Sequence, residues 1–238
     1  MYIYESIKSN NEMKTIPEAI FQFLEELNQN NNRDWFTEHK KCFKELEKEV
    51  KQFNDEVLTG LRVHDDVDKM KMFRIYRDVR FSKNKAPYKT NFGCSFHRVK
   101  PKLRGGYYIH IENNGSFLGA GFWNPEKDDL MRIRKELELD AEEFKEVIAT
   151  EEIKKYWGEL EGEELKTAPK GFDKQHKDIS LIRKKQFMFV KKLDNKEVLS
   201  PKFQETIEDS FKAIRPFFNL MSEILTTDLN GESMLPDN

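Results

Sequence analysis

Residues 106–123 read GYYIHIENNGSFLGAGFW. The first seven residues have the make-up of a strand, Asn113-Asn114-Gly115 is turn chemistry, and Ser116 to Trp123 supplies the returning strand of a hairpin. Gly115, Gly119 and Gly121 weaken the second half and point to a bulge or a close backbone approach. Outward from this hairpin, residues 92–99 and 187–193 also read as strands. Between residues 73 and 81 the pattern has a period of two: Phe73, Ile75, Val79 and Phe81 alternate with Arg74, Tyr76, Asp78 and Arg80. Arg77 falls on the apolar side of that alternation.

The flanks are helical. Thr15-Ile16-Pro17-Glu18 has the form of a capping box, followed by Ile20, Phe21, Phe23, Leu24 and Leu27 on one helix face. Asn32 caps a longer helix whose stripe runs Trp35, His39, Cys42, Leu46, Val50, Phe53, Val57, Leu61. Helices are expected around Leu130–Leu137, Phe144–Ile148 and Ile179–Arg183, and a last one from Ser200-Pro201 to Leu225 with a kink at Pro216. Residues 158–171 read as a loop or edge strand. Helices, antiparallel-type strands, helices, strand, helix is the order of an α+β fold: an antiparallel sheet packed by a long N-terminal helix and C-terminal helices. The expected organisation is an N-terminal extension 1–15, a single domain 16–225 and a polar tail 226–238.

Composition narrows the class. The chain has 238 residues, 35% of them charged, yet 19 Phe, 7 Tyr and 3 Trp supply more apolar surface than a disordered chain carries. No apolar run suits a membrane span or a secretion signal, and two cysteines without a CxxC exclude a disulfide scaffold. A cytoplasmic protein is expected. The near-neutral total of -2 hides an asymmetry: residues 69–104 hold twelve bases against the single acid Asp78, +11, leaving -13 for the remainder. Phe73, Tyr76, Phe81, Tyr88, Phe92 and Phe96 are interleaved with those bases, the combination used to bind anions or nucleic acid. Solvated or internally paired charge is the plain alternative.

Three segments stand out: Asn32-Arg33-Asp34-Trp35-Phe36; the run from Arg74 to Thr90 with Arg-x-x-Arg-x-x-Arg leading into Lys-x-Pro-Tyr-Lys; and Gly105 to Glu112. With Pro169-Lys170-Gly171-Phe172-Asp173 and His176, they resemble the family designated domain of unknown function 2461, from about Ile16 to Leu225. The resemblance supports the α+β domain and implies no reaction.

Arg77 carries a fixed charge on an apolar face and needs a carboxylate, a carbonyl or a ligand. Either it pairs with Asp34, tying helix to sheet, or Arg74, Arg77 and Arg80 clamp an anion, with Lys85, Tyr88 and Lys89 closing over it from a loop that the anion orders. His110 and Glu112, two apart on one strand face, suit general acid/base work. They equally suit a cross-strand hydrogen bond, or two metal ligands that lack a third, His97 being only a guess. Trp35 reads as core rather than as a ligand platform. No Walker loop, GxGxxG, GxSxG or HExxH occurs, no metal is expected, and no cofactor is indicated. The leading expectation is a small anionic ligand, phosphorylated or carboxylated, with acid/base chemistry at His110 and Glu112. A nucleic-acid module built on residues 69–104 and an adaptor for an acidic protein are the alternatives.

Overall fold

A computed structural model describes residues 15–236. Its centre is a five-stranded antiparallel meander: β1 (Val67–Met72), β2 (Asn91–Arg98), β3 (Gly106–Glu112), β4 (Phe117–Phe122) and β5 (Phe187–Lys192), hydrogen-bonded in chain order. Before it come α1 (Glu18–Gln29) and α2 (Arg33–His64). Between β4 and β5 lie α3 (Lys127–Leu139), α4 (Glu142–Ile148), α5 (Glu151–Trp157) and α6 (Ile179–Ile182). After it come α7 (Asn195–Leu199), α8 (Phe203–Ala213) and α9 (Arg215–Thr226). The α+β class is as expected.

Strand alternation divides the sheet into two unlike faces. Phe92, Cys94 and Phe96 of β2, Tyr107, Ile109 and Ile111 of β3, and Leu118, Ala120 and Phe122 of β4 are buried on one face. Against it pack α2, α8 and α9, with Phe43 stacked on Phe92 (5.8 Å between ring centroids), Phe211 against Tyr107 (4.6 Å) and Phe218 against Tyr107 (5.0 Å). Each such buried ring contributes on the order of 2 kcal/mol through the area removed from water. The opposite face bears the other half of each alternation and has no helix laid across its centre.

Several elements differ from the sequence reading. Asn32 caps α2 by accepting from the Trp35 N–H at 3.0 Å, as expected. Thr15 does not cap α1: the N-cap is Pro17, without a side-chain bond. The first turns of α2 bury Phe36 and Phe43, while Trp35, His39 and Cys42 are only half covered. The expected strand over residues 73–81 is not formed. The edge strand lies earlier, at β1, where Met70 and Met72 alternate with Lys69 and Lys71. The Phe73 N–H still donates to the Gly93 carbonyl at 2.9 Å, but the ladder ends there, and Phe92 and Asn91 of β2 pair with β3 alone. The chain instead folds on itself, Arg77 N–H to Pro87 C=O (2.9 Å) and Lys89 N–H to Ile75 C=O (2.8 Å). Helix α5 buries only Ile153 and Trp157, too few for a periodicity to mark it as a separate helix, and α7 opens on a capping box between Asp194 and Glu197. Pro216 stands at the start of α9, and the last helix is broken in two at Ile214. The segment after α9 turns back, with Arg132 donating to the Thr227 and Asp228 carbonyls. No described helix is long and apolar enough to cross a membrane.

Candidate functional site

The open sheet face is a grid set by register. Lys69, His97, Gly106, Gly121 and Met188 lie in one row; Lys71, Ser95, Tyr108, Gly119 and Val190 in the next; Gly93, His110, Phe117 and Lys192 in a third. Neighbouring rows are about 7 Å apart, two residues along a strand. Over this grid lies a cavity of about 740 Å³, bounded by Phe73 and Lys89 at one end and by Lys100, Arg104, Trp123 and Glu126 at the other. Two glycines shape its floor. At Gly121 (φ +134°) a Cβ would lie 2.2 Å from the Phe187 carbonyl oxygen, so no side chain fits. At Gly93 a Cβ would lie 2.4 Å from the Tyr108 hydroxyl, which therefore occupies the space a side chain would have filled.

That hydroxyl begins a relay. Tyr108 Oη is 3.2 Å from His110 Nδ1, and His110 Nε2 is 3.2 Å from Glu112 Oε2. Glu112 Oε1 accepts from the Thr90 hydroxyl at 2.8 Å. An ionised Glu112 only accepts, so it fixes Nε2 as the protonated nitrogen and leaves Nδ1 to accept from Tyr108. His110 stacks on Phe117 at 4.5 Å. Burial lowers its pKa from the ordinary histidine value, with the Lys89 charge acting the same way and Glu112 opposing both. Burial likewise lowers Lys89, helped by Arg74, and its ammonium lies 5.4 Å from the Phe73 ring centroid. On β2, Ser95 Oγ is 3.0 Å from His97 Nε2; burial and then Lys69, Lys71 and Lys100 lower the His97 pKa. Among the described residues, no three His, Cys, Asp or Glu side chains come together as a metal site.

Of the residues expected to form the site, the cavity takes in His110 and Lys89. The arginines do not converge on it. Arg77 Nη1 donates to the Ala86 carbonyl at 3.0 Å and Nη2 to Ser82 Oγ at 3.4 Å, not to Asp34, which is exposed at the start of α2. Arg80 pairs with Asp78 at the surface, Arg74 is exposed, and Lys85 donates to the Val79 carbonyl. These bonds close residues 77–86 into a loop held by its own groups. Tyr88 is buried and stacks on Phe36 at 4.0 Å, while its backbone is held by Asn31 through two bonds of 3.0 and 3.1 Å. The three outstanding sequence segments thus meet: Asn31 and Phe36 hold Tyr88, two residues before Thr90, and Thr90 holds Glu112. Trp35 stacks on His39 away from the cavity (3.9 Å). His176 receives the Asp178 N–H on Nδ1 and reaches the Glu138 carbonyl with Nε2, a structural tie beyond α3.

Arg98 and Arg134 are buried arginines, and Arg77 is not. Arg98 lies in phase with Phe92, Cys94 and Phe96, an alternation that identifies it from sequence. The same alternation places Ser95 and His97 on the open face, and only the register of β2 on β3 brings them beside Tyr108 and His110. Lys100, Arg104 and Trp123 come from loops, where no periodicity points to them.

Residues 19–219 match the profile of a family described as conserved hypothetical protein (DUF2461). No curated protein and no solved structure matches the chain.

Proposed function

The chain therefore belongs to the DUF2461 family, and since that description carries no reaction, we propose its function from the site: the cavity binds a small organic anion, phosphorylated or carboxylated, on which His110 moves a proton. The observation that carries this reading is one cavity of about 740 Å³, within the usual range for small ligands, holding a partly desolvated lysine beside an imidazole whose other nitrogen is fixed by a carboxylate. Lys89 supplies the charge, Phe73, Phe117 and Trp123 the apolar walls, and the Tyr108–His110–Glu112 relay the acid/base group. Trp123, 62% exposed at the rim, is the reporter. Titration with phenyl phosphate at constant ionic strength is expected to change tryptophan fluorescence saturably in the wild type. The saturable change is expected to disappear in Lys89→Gln and in Trp123→Phe, where only the fluorescence of Trp35 and Trp157 remains. A non-saturating response, or equal responses in wild type and Lys89→Gln, rejects the reading.

A separate observation favours single-stranded nucleic acid as the second reading. The self-bonded loop presents Phe81, 96% exposed, among Arg80, Lys83 and Lys85. Oligonucleotide binding that weakens steeply with salt and is lost in Phe81→Ser would place it first.

A further inference from the structure

We propose that Ser95 is a nucleophile activated by His97 and that the cavity hydrolyses carboxylic esters of the anionic ligand class, an inference that takes the ligand from the reading above but rests on different residues. Ser95 Oγ lies 3.0 Å from His97 Nε2, and both side chains line the cavity. This is the hydrogen-bonded nucleophile–base arrangement that activates a serine hydroxyl. His97 is held in the neutral, proton-accepting form near pH 7, chiefly by burial and then by Lys69, Lys71 and Lys100. The same lysines favour the negative charge that develops at the reacting centre. In the resting state the Ser95 hydroxyl has a second acceptor, the Lys71 carbonyl at 3.4 Å, a longer and weaker alternative.

A donor for the developing oxyanion lies one pleat away. Ser95 pairs with Tyr108 across β2 and β3, and the Tyr108 hydroxyl lies over Gly93, two residues from Ser95 on the same face. A carbonyl above Ser95 has the nucleophile beneath it and, to one side over Gly93, the phenol, which turns from His110 Nδ1 to donate to the oxyanion. Only a glycine at 93 leaves room for that phenol.

The step balances without a co-reactant beyond water. Ser95 Oγ bonds to the carbonyl carbon while its proton passes to His97 Nε2. The ester C–O bond breaks, and the imidazolium returns the proton to the departing alcohol. Water then attacks the acyl-serine, giving one proton to His97 that passes to Ser95 Oγ as the carboxylic acid leaves, and the acid releases its own proton to solvent.

The test treats the folded full-length protein with a fluorophosphonate and maps the adduct by mass spectrometry, alongside the phenyl phosphate titration. The expected result is one adduct on Ser95, absent in Ser95→Ala and formed at least 100-fold more slowly in His97→Gln at an unchanged melting temperature. The labelling rate of the wild type falls on acidification below the ordinary histidine value of about 6.5, as His97 takes a proton. No adduct in a protein that still binds phenyl phosphate overturns the nucleophile and leaves the binding reading standing. An adduct without phenyl phosphate binding does the reverse. Labelling of Ser95 at a rate that His97→Gln leaves unchanged also overturns the proposal.

Discussion

Arg98 and Asp65 form a bidentate pair with both side chains out of water, 0% and 1% exposed, Nε–Oδ2 at 2.8 Å and Nη2–Oδ1 at 3.1 Å. Around the pair, Tyr107 donates its hydroxyl to Asp65 Oδ2 at 2.5 Å, and Arg98 Nη1 reaches the Arg104 and Phe218 carbonyls and Ser222 Oγ. One guanidinium thus joins the end of α2, the β2–β3 loop and α9, and it fixes the loop that brings Arg104 to the cavity. Burial and the adjacent Asp65 carboxylate together push the Tyr107 phenol far above its ordinary pKa.

Removing one partner strands the other. Arg98→Met is expected to destabilise the fold by about 3–5 kcal/mol, because the buried Asp65 carboxylate loses its bidentate partner and keeps, as a counter-charge, only the longer contact to Arg215 at 3.7 Å. Arg77→Met, at a half-buried loop position with no carboxylate partner, is expected to cost about 1 kcal/mol. Urea denaturation of the two variants side by side checks the ordering. Equal midpoints would contradict the division of roles.

Much of this arrangement was legible in the sequence. The hairpin over residues 106–122, the long helix and the paired His110–Glu112 follow from turn chemistry and periodicity, both local signals. Arg77 was misplaced because an alternation of apolar and charged residues defines a strand only if a partner strand is there to pair with. Whether the pairing continues beyond Phe73 depends on where the chain leaves β2, here at Gly93 with two residues of β2 still to come, which is a tertiary fact. The cavity was unread for a related reason: it is made by neighbouring strands in register, Ser95 beside Tyr108 and Gly93 beside His110.

Histidine titration sets an acid limit on stability. His64 has both ring nitrogens buried without a hydrogen-bond partner among the described residues, and burial lowers its pKa as it does those of His97 and His110. A group whose pKa is lower folded than unfolded binds fewer protons folded. Its contribution is therefore complete above about 6.5, the unfolded value, and is lost as pH falls below it. The denaturation midpoint is expected to drop between pH 7.5 and 5.5, and His64→Gln is expected to flatten part of that slope. A midpoint that rises on acidification over this range refutes the assignment.

Gly93 has a definite steric role. Gly93→Ala puts a methyl where the Tyr108 hydroxyl lies and forces it away from His110, at a cost of about 1–3 kcal/mol. Tyr108→Phe removes the oxygen that clashes, so the double variant is expected to recover most of that loss, a non-additivity readable in a double-mutant cycle. Additive losses would mean that the two residues do not meet.

Binding and protonation at His110 are expected to be linked. Empty, the cavity favours the neutral ring, since burial and Lys89 both act against its charge. An anion seated beside Lys89 cancels part of that repulsion and adds an attraction, so the His110 pKa rises on binding. A pKa raised by a ligand means proton uptake with the ligand, and affinity then increases as pH falls from about 7.5 toward 6. Phenyl phosphate itself gains a proton near pH 6 and loses charge, which opposes the trend. Phenylphosphonate or benzoate titrations over the same range therefore bracket the effect, and benzoate, ionised throughout, gives the cleaner slope. Calorimetry with benzoate in two buffers of different ionisation enthalpy counts the protons directly: a fraction of one taken up in the wild type, and close to none in His110→Gln. Proton release in the wild type, or equal uptake in both proteins, removes His110 from the ligand's surroundings and with it the acid/base role.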